Sequence, residues 1–169
     1  MSALPIVTLP DPVLRRQSDV VEIFDKDLED LARDLVATLK ENVLLGMAAI
    51  MVGIPKRIAL CAVDATGTPS SAKVLINPVL IEMSSETEAG NEGCPSVPDT
   101  FEDIIRPIRI TAEYQTLSGS RETIRASGLQ ARVIQHQVDL CDGVLFIDRL
   151  SRLKRARIEK RLAKRRRKI

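Results

Sequence analysis

Aromatic residues are scarce in this chain: its 169 residues include no Trp, one Tyr and three Phe. The core must therefore be aliphatic, and a reader of single-stranded nucleic acid that stacks bases on aromatic rings would have almost no material to work with. Cysteine is nearly as rare. Cys61, Cys94 and Cys141 are odd in number and unclustered, which argues against a disulfide framework. No charged-then-apolar leader with a small-residue cleavage site opens the sequence, so the expectation is a reducing, cytosolic setting. Long apolar runs are also missing. The best stretches, residues 43–45 and 48–52, fall far short of the roughly 20 residues that span a bilayer, and no membrane segment is expected. The stretch LLGMAAIMVGIP has small residues for a close backbone approach but lacks the glycine count and the lysine of a phosphate loop. Histidine occurs once, at His136.

What is present is enough for one domain with a sizeable core, since 44% of the residues are hydrophobic. The net charge of +2 conceals an asymmetry. Residues 152–169 carry 11 Lys or Arg against one acid, Glu159, a net +10, whereas the first 151 residues hold 14 bases and 22 acids, a net −8. The division expected is a domain over residues 1–151 and a basic helical tail over 152–169. A block of one sign marks contact with a polyanion or a solvated end.

Along the chain, IVTLPDPVLRRQSDVV has two prolines and reads as an extended wrap. Leu28, Leu31, Leu35, Val36, Leu39 and Val43 recur at helical spacing behind an acidic first turn, predicting an amphipathic helix over residues 26–42. RIALCAVD, AKVLINPVLIEM and RPIRITAEYQTL are rich in β-branched residues and bounded by Gly, Pro or Ser, which predicts strands of a mixed or antiparallel sheet. Residues 84–105 are polar and proline-punctuated and read as a long loop. Ser127 is a plausible N-cap for a second helix, on which Leu129, Val133, His136 and Leu140 share a face. GVLFID reads as a last short strand, followed by a terminal helix from about Ser151.

Three segments in order, LGMAAIMVG, EGCPS and HQVDL, resemble the signature motifs of the peptide deformylase family. PDPVLR, LINP at residues 75–78, QARVIQH and DGVLFIDRL extend the resemblance over residues 5–151. It implies an α+β fold with small mixed or antiparallel sheets around a central motif helix and a C-terminal helix. It also implies a divalent metal, iron or zinc, and removal of the N-formyl group from the initiator methionine of nascent chains. The family holds its metal between the Cys of E-G-C-x-S and both His of H-E-x-x-H, whose Glu acts on the metal's water. Positions i and i+4 lie about 40° apart around a helix, so two imidazoles there reach one ion.

The matching positions here are Cys94, His136, Gln137 and Leu140. Leu140 has no donor atom and Gln137 accepts no proton near neutral pH. The family's oxyanion donors, a Gln amide and the backbone N–H after the Cys, are replaced by Met51 and by Pro95, which has no N–H. This predicts a deformylase-like chain without deformylase activity and without a metal, Cys94 and His136 being remnant ligands, whose pocket still takes a peptide N-terminus. The alternative is a metal-dependent N-formylmethionine deformylase with a site rebuilt from Cys94, His136 and Asp139, and with iron or zinc as its cofactor. The resemblance pairs Glu92 with Arg106 in a structural ion pair. It also makes the tail a contact for ribosomal RNA, through Arg152, Lys154, Arg155, Arg157, Lys160, Arg161, Lys164, Arg165, Arg166, Arg167 and Lys168.

Overall fold

Asp25 accepts a hydrogen bond from the Leu28 N–H at 3.1 Å and so starts α1, Lys26–Glu41, in the computed structural model, which describes residues 2–168. Leu28, Ala32, Leu35 and Leu39 fall at steps of four, three and four and are buried, as the helical period requires. Seven strands follow: β1 (Gly46–Ala48), β2 (Ile58–Val63), β3 (Pro69–Met83), β4 (Thr87–Cys94), β5 (Val97–Pro107), β6 (Arg109–Gln115) and β7 (Arg121–Ser127). They form a five-stranded antiparallel sheet ordered β1-β2-β3-β6-β7 and a separate hairpin of β4 with β5. All six residues of β2 are buried, so this strand is covered on both faces.

α2, Gly128–Cys141, packs on β1, β2, β3 and β7 of the sheet and reaches β5 of the hairpin. Every residue from Ala131 to Cys141 except Arg132 is buried, so this helix is enclosed nearly all round. Polar side chains that deep need partners. Gln130 donates to the Val63 carbonyl at 3.0 Å, and Gln135 donates to the carbonyls of Pro107 and Ala131 at 3.0 and 3.1 Å. The last helix, α3 (Arg152–Arg166), begins at Ser151, whose hydroxyl accepts from the Lys154 N–H at 3.3 Å, and it buries Ile158 and Leu162 in the common core. The fold is thus α+β, with antiparallel sheets around α2 and a C-terminal helix. No helix among the described residues is long and apolar enough to cross a membrane.

Local patterns misled at four places. Residues 84–105 are no loop: they contain β4 and most of β5, joined by Pro95 and Ser96, with Cys94 paired to Val97. A two-stranded hairpin leaves polar side chains in solvent, so its composition reads as loop. GVLFID forms a 3-10 turn at Phe146–Arg149, closed by Asp148, which accepts from the Leu145 N–H at 2.8 Å. Inside the opening segment Pro12–Arg15 is likewise a 3-10 turn, capped by Asp11. β7, RETIRAS, went unrecognised because an edge strand carries charge on its open side.

Candidate active site

The end of β4 delivers Glu92 and Cys94 to the same place where α2 presents Arg132, Val133, His136 and Gln137. β1 closes the third side through Gly46. A Cβ added there would stand 2.6 Å from Val133 Cγ1 and 2.7 Å from Gln137 Nε2, so only glycine lets this strand approach the helix. The result is a cavity of about 330 Å³, with Met51, Pro95 and Phe101 completing its wall.

Behind the cavity runs a chain of charges. Glu92, 6% exposed, accepts from Arg106 Nε at 3.0 and 2.9 Å with its two oxygens, and from the other side meets His136 Nδ1 at 3.0 Å. Arg132 Nη1 stands 3.6 Å from the same carboxylate. Arg106 turns its Nη1 to Asp139 at 2.8 Å, and Arg149 grips Asp139 with Nε and Nη2, both at 2.8 Å. Burial alone would raise the Glu92 carboxyl, but hydrogen bonds from His136 and Arg106 hold it below the usual carboxylate range. Burial likewise opposes charge on His136; the Cys94 sulfur and Glu92 overcome it and push the imidazole up to about 9. The ring is further fixed by stacking on Phe146, centroids 5.9 Å apart.

Of the positions singled out in the sequence, Met51, Cys94, Pro95, His136 and Gln137 all line this one cavity. Leu140 does not: it is fully buried in the core. Asp139 is committed to Arg106 and Arg149, which removes the carboxylate expected to stand in as a third ligand. Met51 turns its sulfur to the Ala48 N–H at 3.5 Å. Gln137 is 6% exposed, and its Oε1 is buried with no hydrogen-bond partner. Among the described residues no three His, Cys, Asp or Glu side chains converge as a metal site. Sequence reasoning missed Arg132 and Arg149. Arg132 lies one helical turn before His136, a signal that could have found it; Arg149 reaches Asp139 from a turn whose placement only packing sets. In α3, Arg155 pairs with Asp148 and Glu159, Lys154 with Glu102, and Arg161 and Arg165 turn to Thr100 and Asp99. Arg152, Arg157, Lys160, Lys164, Arg166, Arg167 and Lys168 are exposed and make no ion pair among the described residues.

The family model for polypeptide deformylase matches residues 3–156. The chain belongs to the peptide deformylase family. It is 40% identical over 164 residues to the peptide deformylase of Rhizobium meliloti, covering 97% of this chain and 94% of that one. It is 42% identical over 170 residues to that of Zymomonas mobilis, covering 98% and 96%. Among solved structures, the Ehrlichia chaffeensis peptide deformylase in complex with actinonin superposes with a TM-score of 0.90 at 37% identity, over 98% of both chains. A Met-Ala-Ser-bound class I type b peptide deformylase of Acinetobacter baumannii gives 0.83 at 33% identity, over 89% of this chain and all of that one.

These relatives correct the expectation of an inactive chain with a lost metal site. Relatives about 40% identical over nearly their whole length carry the name peptide deformylase. The reading of inactivity rested on Met51, Pro95, Gln137 and Leu140 alone; it gave no weight to the cavity, which remains open between β4 and α2 with Cys94 and His136 on its wall.

Proposed function

We propose that the chain is a metal-dependent amide hydrolase that removes N-formyl groups from peptide N-termini. The observation that supports this best is the cavity itself, with Cys94 and His136 facing it and Glu92 orienting the imidazole at 3.0 Å from Nδ1. An imidazole whose Nδ1 is bound to a carboxylate presents Nε2 for ligation, the usual arrangement behind metal-bound histidine. Cys94 and His136 would hold a divalent ion, which when bound supplies Lewis-acid polarisation of a carbonyl.

The chain's own residues do the rest. Val43, Leu44, Leu45, Phe101, Leu129 and Val133 give the cavity an apolar mouth suited to a methionine-like side chain. Val43, Phe101 and Leu129 are 88%, 70% and 39% exposed, so a peptide can bury surface there that water now covers. Pro95 has no N–H and the Met51 side chain none to offer the developing oxyanion, whereas Gln137 carries an amide Nε2 on the cavity wall. Gln137 does not ionise. Hydrolysis should therefore lack the acidic limb that a catalytic carboxylate gives to a pH profile.

The test is release of formate from a formyl-methionyl tripeptide by protein purified without chelator. Turnover that stops with chelator and returns with iron or zinc supports the reading. No turnover under either condition sinks it.

For residues 152–168 we propose contact with a polyanion such as ribosomal RNA, supported by seven exposed cations there that make no ion pair among the described residues. Binding of this kind weakens steeply with salt. Because Ile158 and Leu162 belong to the core, the clean test keeps the helix and replaces Arg166, Arg167 and Lys168 by Gln; unchanged co-sedimentation with ribosomes at low salt would refute it.

A further inference from the structure

We propose that Gln137 is the third protein donor of the metal site, ligating through Oε1 in place of the position four residues after His136, which Leu140 occupies. The inference rests on the deformylase reading and adds a ligand to it. Three observations carry it. Gln137 is 94% buried and lines the same cavity as Cys94 and His136. Its Oε1 is enclosed and has no hydrogen-bond partner, which is unfavourable for a buried acceptor unless a ligand satisfies it. The two carboxylates nearby are already claimed: Glu92 by Arg106 and His136, and Asp139 by Arg106 and Arg149.

Helix geometry allows it. Adjacent residues on a helix diverge by about 100°, so two short side chains at i and i+1 could not meet one ion. Glutamine carries its oxygen about as far from Cα as histidine carries Nε2, but it has one more torsion and its terminal χ3 is soft, so the amide can swing back toward a point that the imidazole reaches directly. Gly46 leaves the room for that swing, since any side chain there would collide with the Gln137 amide.

The charge balance also fits. A thiolate, an imidazole and an amide leave a divalent ion with one net positive charge, the same as a thiolate with two imidazoles. An Asp or Glu in the third place would cancel that charge and weaken its pull on a carbonyl. The arginines on Glu92 and Asp139 keep both carboxylates from doing so. The donor set is then one sulfur, one nitrogen and one oxygen, with a fourth position open for substrate, the pattern of a catalytic site.

The experiment uses the full chain and Co(II) as the probe, read by its thiolate charge-transfer and d–d bands and by competition with a chelator. The wild-type chain should bind one Co(II) with a thiolate band, and Q137L should lose at least about 10-fold in affinity while keeping its melting temperature within a few degrees. Q137L/L140H, which returns a nitrogen donor at the fourth residue after His136, should regain affinity and the four-coordinate d–d intensity. Affinity unchanged in Q137L overturns the assignment and leaves the hydrolase reading standing; so does a wild-type chain that takes no Co(II) but hydrolyses formyl peptide. Tight Co(II) binding that depends on Gln137 with no hydrolysis of a formyl-methionyl tripeptide keeps the ligand and removes the proposed function. If Q137L fails to fold, Q137A and the band intensities of the wild-type chain decide instead.

Discussion

At the scale of single residues, Glu92 is the hinge between structure and chemistry. It ties the imidazole of His136 to the guanidinium of Arg106, and both charges of the latter pair are withdrawn from water. Removing one member of such a pair strands the other. Glu92→Gln is expected to cost about 3–5 kcal/mol of unfolding free energy in urea titration, since Arg106 then lies buried without a full counter-charge. Gln137 gives a different case, an uncharged residue whose replacement changes the charge of the cavity. Gln137→Glu puts a carboxylate where the amide oxygen would meet the ion and cancels the ion's net charge; formyl-peptide hydrolysis should fall by about 10-fold, and the pH–rate profile should acquire an acidic limb. A rate and a profile both unchanged would show that Gln137 does not face the reacting group.

Elements act here by what they bring together. The β4–β5 hairpin sets Cys94 at its tip, and Pro95 immediately after it withholds a backbone N–H from the cavity. Pro95→Leu should return that donor and raise kcat by about 100-fold with little change in KM, as expected for a contact made only in the transition state. A matching fall in KM instead would assign the position to ground-state binding. α3 has a face in the common core, separate from the exposed cations for which a polyanion contact is proposed. Ile158→Ala should destabilise the protein by about 2–4 kcal/mol, because Ile158 is part of the common core, while leaving in place the exposed cations and the salt-dependent binding proposed for them. Loss of binding without loss of stability would place the contact elsewhere.

For the whole molecule, pH tests the charge network against unfolding. Glu92 is held below its ordinary value of 4.5 in the folded state, so its contribution is present above about pH 4.5 and is lost as pH falls through the lower folded value. In the metal-free chain His136 is raised from 6.5 to about 9, so its contribution there is complete below pH 6.5 and is lost as pH rises through 9. Urea midpoints should therefore plateau between about pH 4.5 and 6.5 and fall on both sides, and Glu92→Gln should flatten both limbs. Much of this molecule was legible in its sequence: α1 in its leucine spacing, α2 in the face shared by Val133, His136 and Leu140, the family in three short motifs. The hairpin at residues 84–105 was not, because a strand pair open to water has no apolar period to read. The candidate site divides the same way. Residue types determine by themselves that Leu140 and Pro95 donate nothing and that Gln137 cannot act as a base. Which donors remain free to meet a ligand is decided by three-dimensional packing alone. Arg106, Arg149 and His136 reach Glu92 and Asp139 across 10 to 44 residues of chain and occupy their oxygens, leaving Gln137 Oε1 as the buried oxygen in the cavity wall with no partner.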